Sequence, residues 1–378
     1  MRPVRQTMHT SLPSPRKAAR PLAALVRRYE KYSGPVLFGA GFLWDSLTLT
    51  RIDNLLDNAL LLTYLAVAGG LIILTLRSQE GAPLPGPVRR VRPYFPWVLQ
   101  FLFGGLFSSY VIFYFKSASF TRTQLFFLIL VALLVGNEFL HDRLEDRRLL
   151  AVLYSFCLLS FFAFFLPVVL AKVNGAIFAL AGVVSLGASL LVFSLGLARA
   201  GVPRHQALRP VAPWIALTLL AVNLLYVANL VPPVPLALKS AGIYHHVART
   251  EHGYEVQYVP GPSYRFWKKW DDPFLLSPGE SVYCYTAVFA PPRFRVPVSH
   301  VWSRKSAGRG WVQTDRIRFQ VRGGREQGFR GYTRKQGIGP GRWRVEVETE
   351  SGQILGRIDF TVKESPASRP PLQSKLLP

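Results

Sequence analysis

The sequence is short of cysteine, of acidic side chains and of charge altogether. Only two cysteines occur in 378 residues, Cys157 and Cys284, so neither a disulfide scaffold nor a cysteine-ligated zinc cluster is available. Charged residues make up 17%, below the roughly 25% of soluble domains, and 21 Asp and Glu face 45 Lys and Arg for a net charge of +24. That balance excludes an ordinary soluble globule. A disordered basic tail is excluded as well, because 50% of the residues are hydrophobic and 13% aromatic. Motifs that carry chemistry are also missing: the phosphate-binding Gly-rich loops, Gly-x-Ser-x-Gly and His-Glu-x-x-His do not occur. No catalytic residue and no cofactor is assigned, and a non-enzymatic protein is expected.

What the chain has instead is long apolar runs. Seven stretches, residues 36–50, 55–76, 97–115, 125–140, 149–171, 176–198 and 211–231, approach the length needed to cross about 30 Å of hydrocarbon. The first is the weakest, being short, rich in glycine and interrupted by Asp45. An all-α bundle of about seven membrane spans is therefore expected over 33–231, preceded by a basic arm over 1–32. Charge asymmetry orients it. The N-terminal arm and the loops carrying Arg77–Arg92, Arg143–Arg148 and Arg199–Arg209 hold eighteen cations, whereas the alternate loops hold only Arg51, Lys116, Arg122 and Lys172. The excess of Lys and Arg marks the cytoplasmic side, so the N-terminus is expected inside and everything after the seventh span outside, in a multi-pass protein of the inner membrane. The arm reads as a topology determinant that touches anionic lipid.

Two ionisable groups fall at membrane depth. Asp45 lies toward the outer end of the first run with Arg51 nearby, and Glu138 toward the inner end of the fourth, beside Asn137 and near Arg143. Local pairing is the expected use of both, and lining a transport path is the alternative. Asn223 and Asn229 are expected to bond between helices, and Ala181, Ser185 and Ser189 form a small-residue row for close helix approach. No inverted repeat relates the two halves, which weakens a transporter.

The seventh run ends in Pro232-Pro-Val-Pro, a stiff exit opening a juxtamembrane segment over 232–253. From 254 to 364 the pattern becomes alternating: SVYCYTAVFA at 281–290, then Trp343, Val345 and Val347 between charged residues, then a Gly-containing turn and Ile354 to Val362. Strands at this spacing suggest a small all-β antiparallel sandwich of immunoglobulin-like shape. Residues 365–378 read as a flexible tail.

Several residues of this part resemble a known family. His300-Val-Trp302, Trp311, Gly323-Gly-Arg325, Gly328-Phe-Arg-Gly-Tyr332, Gly341-Arg-Trp-Arg-Val345 and Asp359-Phe-Thr-Val362 are similar to the bacterial domain-of-unknown-function family 2914 over about 283–363. The stretches from Asp45 to Asp53 and from Pro232 to Leu236 resemble the multi-pass module that often precedes that domain, family 5924. The resemblance implies a membrane-anchored protein with an extracytoplasmic β domain and supplies no reaction.

Within that domain the candidate residues are few. His245, His246 and His252 lie close to Glu251 and Glu255, but adjacent histidines on an extended chain point to opposite faces, so no metal site is assigned. His300 and Trp302 share a strand face, and with Trp311 they form a candidate pocket beside the simpler reading of a core histidine. The strongest signal is charge: after Leu236, 23 Lys and Arg face 12 Asp and Glu, and Arg316, Arg318, Arg322, Arg325, Arg330, Arg334 and Lys335 fall within twenty residues. Inside the cell such a run would suggest nucleic acid. Outside, the available partners are anionic lipid headgroups, an envelope glycan or a protein, and nucleic acid is not expected. The leading expectation is a helical anchor for a basic β domain that binds an anionic envelope component or partner protein; the alternative is a transporter or channel built on the bundle.

Overall fold

The computed structural model describes residues 42, 43, 45, 47, 52–117, 124–198, 202–260, 270–366 and 371–377. The chain divides into two units, Met1–Thr48 and Leu49–Pro378. The basic arm and most of the first apolar run lie outside the described residues; Phe42, Leu43, Asp45 and Leu47 are helical.

In the second unit the apolar runs become helices because each is hydrophobic on every face, and three of them begin at a polar cap. Four of them are long and apolar enough to cross a membrane: Leu55–Gln79 (α1), the continuous stretch Gly86–Phe115, Arg147–Leu170 (α5) and Gly175–Gly196 (α6). The second comprises the short helix Gly86–Val91 (α2), one 3₁₀ turn and Phe95–Ser117 (α3). Among the described residues these four stand where seven were expected, the first expected run lying almost wholly outside them. Two of the runs form shorter apolar helices, Gln124–Asn137 (α4) and Ala212–Val227 (α8). At 1.5 Å per residue they reach only about 21 and 24 Å, short of the hydrocarbon thickness. The five-residue Arg204–Leu208 (α7) lies before α8. Asn54, Asp146 and Asn174 cap α1, α5 and α6 by accepting backbone N–H bonds of 3.0, 2.7 and 2.9 Å.

Helix α5 is the hub, buried along most of its length. Polar groups at depth are used to lock helices together. Ser155 bonds Ser189 at 3.0 Å, Tyr110 and Tyr114 donate to the carbonyls of Cys157 and Ser160, and Gln100 and Asn137 exchange side-chain-to-backbone bonds. The small row Ala181, Ser185, Ser189 is buried, as close approach requires. Asn223 bonds the Leu219 carbonyl of its own helix, and Asn229 lies past the end of α8 with a positive φ of 57°; among the described residues neither has a hydrogen bond to another helix.

The arginine-rich turns gather at one end of the bundle. Arg77 donates to the Leu195 carbonyl, Gln79 to that of Glu145, Arg147 meets Glu80 at 3.1 Å and Arg92 lies 3.9 Å from Glu145. The β domain occupies the other end. There Ala171 and Val173, in the short α5–α6 connection, pack against Leu236, Val288, Phe294, Val321 and Leu355.

Strands begin at Ala237, earlier than the expected boundary at 254. In chain order they are Ala237–Tyr244 (β1), His246–Thr250 (β2), Gly253–Tyr258 (β3), Phe274–Leu276 (β4), Val282–Phe289 (β5), Arg295–Ser306 (β6), Gly310–Arg322 (β7), Phe329–Lys335 (β8), Gly341–Thr349 (β9), Ile354–Glu364 (β10) and Gln373–Leu377 (β11). They form three sheets, ordered β1-β5-β8, β4-β10-β9-β6-β7 and β11-β3-β2. The segment expected as a juxtamembrane linker is therefore β1 and β2. The expected tail returns as β11, paired antiparallel with β3 from Gln373–Tyr258 to Leu377–Tyr254. Pairing is antiparallel throughout except β4 with β10, which is parallel.

The first two sheets share one apolar cluster. Ile243, Cys284 and Val282 meet Trp302, Trp343, Val345, Ile358 and Phe360; on β9 and β10 these residues alternate with polar or charged ones, which leaves one face buried. The third sheet covers the opposite face of β1-β5 through Tyr244, Val247, Val256, Tyr285 and Ala287.

Candidate functional site

The expected pocket does not form, because alternation sends its members to different faces. On β6, Val296, Val298, His300 and Trp302 point inward, and both candidates are fully buried. His300 bridges the two sheets: one ring nitrogen lies 2.9 Å from the Thr286 hydroxyl and the other 2.8 Å from that of Thr333, with Phe319 edge-on at 4.8 Å. A neutral imidazole offers one donor and one acceptor, and two hydroxyls complement it in either tautomer. Burial pushes its pKa down from 6.5 to about 3, so it stays uncharged. Trp302 stands edge-on to Phe360 with its indole N–H unpartnered in the core. Trp311 lies on the outer face of the five-stranded sheet under the Arg344 guanidinium, 4.0 Å from its ring centre.

The seven basic candidates do not form one patch either. Arg316, Arg318 and Arg322 alternate outward along β7, whereas Arg330, Arg334 and Lys335 lie on β8 in another sheet. Much of the charge on β7 is already matched. Arg316 reaches Glu348 at 2.7 Å and Arg318 reaches Glu350 at 3.6 Å. Lys335 pairs with Asp315, whose carboxyl it holds below the usual range. The same outer face carries Arg344 bonded to both oxygens of Asp359, at 2.6 and 3.2 Å, and Arg357 on Glu346. Arg322, Arg325 and Arg334 are exposed and have no carboxylate partner among the described residues; Arg330 is half-buried with its Nε unpartnered.

Sequence reasoning counted Arg293 and Arg295 only toward net charge, yet they belong with this group. Strand register places Arg295 directly opposite Arg322. The loops beside them are zipped together: Gly323 and Gly324 donate to the carbonyls of Phe294 and Ala290, both at 3.0 Å. A Cβ on Gly323 would lie 1.8 Å from the Pro291 carbonyl oxygen, so only glycine lets the β7–β8 loop close onto the β5–β6 loop. The Pro-Pro-Arg-x-Arg spacing before β6, met by a Gly-Gly pair after β7, is the sequence signal for this junction.

His245 is used differently from either sequence reading. It is buried, stacked 3.9 Å from Phe274, with Nδ1 2.8 Å from Glu280 and Nε2 3.2 Å from Asp271. Asp271 also accepts from the Val259 backbone N–H, and Glu280 from that of Ser277. The triad joins three loops at the membrane-distal end of β1. His246 faces Tyr283 instead, edge-on at 5.4 Å. Of the intramembrane candidates, Glu138 makes no ion pair with Arg143; its carbonyl accepts from Gln100 at 3.2 Å. Asp45 is helical and has a partner, and Arg51 lies outside the described residues.

Where the β domain meets the bundle, Gln353 descends from the β9–β10 turn into a cleft lined by Pro167, Asn174, Phe178, Tyr226 and Val234. It is 2% exposed, with the Tyr226 side chain as its polar neighbour in the cleft.

Residues 296–362 match the family described as Protein of unknown function (DUF2914). No curated protein matches the chain. Among solved structures, similarity is found to a Listeria innocua β-glucosidase in complex with glucose (13% identity, 25% of this chain and 15% of that one, TM-score 0.19). It is also found to the Pseudomonas fluorescens alkylpurine DNA glycosylase AlkC bound to DNA containing an abasic site analog (10%, 83% and 100%, 0.21). A Kluyveromyces marxianus β-glucosidase is the third (11%, 33% and 14%, 0.16). The chain spans about one seventh of the length of either β-glucosidase. Scores this low carry no fold assignment.

Proposed function

We propose that this chain is a non-enzymatic, multi-pass protein of the inner membrane that anchors an extracytoplasmic, sandwich-like β domain, and that the domain binds an anionic component of the envelope through guanidinium groups left without carboxylates. Arg322 and Arg325, exposed and without carboxylates beside the paired Arg316 and Arg318, are the observation that carries this reading. A solvated basic face that served only solubility would have no reason to match some arginines with glutamates at 2.7 Å and leave an adjoining set bare.

Sidedness rests on charge and geometry together. Arg77, Arg92 and Arg147 meet at one end of the bundle, and the Lys- and Arg-poor α5–α6 connection lies against the β domain at the other. The first end is assigned to the cytoplasm and the second to the outside.

The test is binding of the full chain, held in zwitterionic nanodiscs, to a soluble polyanion such as dextran sulfate across a salt series. Binding at low salt that fades as the Debye length shrinks from about 10 Å to 3 Å supports the reading. No binding at any salt overturns it and leaves a protein partner.

A further inference from the structure

We propose that the membrane-facing base of the β domain docks on the anionic phospholipid headgroups of the bilayer that holds its own helices; this rests on the anion-binding reading above and names its partner. The first observation is depth. Seven strand ends meet at this base: Ala237, Phe289, Arg295, Arg322, Phe329, Thr349 and Ile354. Ala171 and Val173 pack into the cluster beneath them, directly after the spanning helix ends at Leu170. The headgroup zone adds only about 5–7 Å to each side of the hydrocarbon, so side chains at this base lie within it or at its edge.

The second observation is a like-charge pair. Arg295 and Arg322 are directly opposed across β6 and β7 at the base end of the ladder. Like charges in that position are destabilising unless something between them is negative. The carboxylates of the sheet stop one row short, since Glu350 is engaged by Arg318 at 3.6 Å, and Glu326 lies in the next loop. Arg293, held at a φ of 71°, and Arg325, 5.7 Å over the Phe329 ring, extend the pair into a cluster of four exposed guanidinium groups, with Lys172 and Lys239 exposed nearby.

The third is rigidity. The bonds from Gly323 and Gly324 to the Phe294 and Ala290 carbonyls hold both loops in one unit, so the four arginines are preorganised rather than free to splay. A planar guanidinium binds a phosphate through two parallel N–H bonds. A surface at headgroup depth, facing the bilayer, meets lipid phosphate before any glycan.

The experiment uses the full chain in nanodiscs of phosphatidylcholine with increasing phosphatidylglycerol. An environment-sensitive fluorophore is attached at Gln327→Cys, an exposed β7–β8 loop position; the native Cys157 and Cys284 are buried and do not label. The expected result is a phosphatidylglycerol-dependent, salt-sensitive response. Each neutralisation in Arg293→Gln, Arg295→Gln, Arg322→Gln and Arg325→Gln lowers the lipid preference about five-fold, since a basic residue at the surface contributes about 1 kcal/mol. The Arg316→Gln/Arg318→Gln control, whose residues are already paired, keeps the response. A response that survives all four substitutions overturns the proposal. So does an absent lipid response in protein that still binds dextran sulfate, which leaves the broader anion reading intact. Absence of both removes both. Unchanged thermal melting of each variant separates these outcomes from misfolding.

Discussion

Acid is expected to loosen the β domain through a single imidazole. His300 is buried between sheets, bonded to Thr286 and Thr333, with its folded pKa near 3 against about 6.5 in the unfolded chain. The unfolded state therefore takes up a proton that the folded state refuses. The contribution is complete above about pH 6.5 and erodes as pH falls toward 3, by up to about 1.4 kcal/mol for each pH unit. By pH 4.5 about 3 kcal/mol is lost, a large share of the 5–15 kcal/mol that holds a typical domain folded. His300→Gln keeps an amide able to bond the threonine hydroxyls and cannot take up the proton. It is expected to cost about 1–2 kcal/mol at pH 7.5 and to gain on the parent as pH falls. The assay is denaturant unfolding of the full chain followed by tryptophan emission, since Trp302 and Trp343 sit in the same core, at pH values from about 4.5 to 7.5. Taking the difference between parent and variant removes other titrating groups. Parallel stability curves for the two proteins would refute the reasoning.

Four further outcomes are expected. Trp302→Ala should cost about 3–5 kcal/mol, whereas Trp302→Phe, which removes an unpartnered N–H, should cost less than about 1.5, both read from melting of the β domain. Gly323→Ala should unseat the zipped loops and abolish the fluorophore response, while Gly308→Ala, strained only by its φ of 75°, should cost about 1 kcal/mol. Replacing His245 with Ala leaves Asp271 and Glu280 without their bridging ring and should destabilise the domain by about 3 kcal/mol, measured by urea unfolding. Gln353→Leu removes a buried amide that meets Tyr226 in the cleft and should lower the melting temperature by a few degrees; an unchanged or higher value would show that the amide contributes nothing there.

The membrane half was legible because a run such as LFFLILVALLV has no polar face to hide, whatever its neighbours do. Helix ends were less legible, and length decides whether a helix spans: α4 and α8 stop at Asn137 and Val227, short of the apolar runs that contain them. The β region was recognisable where hydrophobic and charged residues alternate strictly, as at 343–347, and its beginning and end were not. Strand β1 reads ALKSAGIY and β11 reads QSKLL, with no clear alternation in either; their conformation comes from partners, β5 and β3, that lie far away in sequence. His300 could be placed on the same face as Trp302 from spacing alone, but whether that face met solvent or another sheet was a tertiary fact.

The fate of the arginines shows why a charge count could not locate a surface. Arg316 and Arg322 are the same residue on the same face of the same strand, and register alone separates them. Across β6 the positions beside Arg316 are Val301 and Ser299, and Ser299 is small enough to let the guanidinium pass over it to Glu348 on β9. At Arg322 the partner on β6 is another arginine, and β9 has already ended at Thr349, so no strand remains to supply a carboxylate. Matching of charge thus follows local register: Arg316 and Arg318 meet carboxylates supplied by β9 and the turn after it, and Arg322 lies past the end of β9 with none. An anion that settles there finishes a ladder the protein leaves incomplete, and Arg322→Glu, by supplying the missing charge opposite Arg295, is expected to raise the melting temperature in phosphatidylcholine and to lose the added stability that phosphatidylglycerol gives the parent. Equal gains from phosphatidylglycerol in both proteins would show that the pair has no part in meeting the membrane.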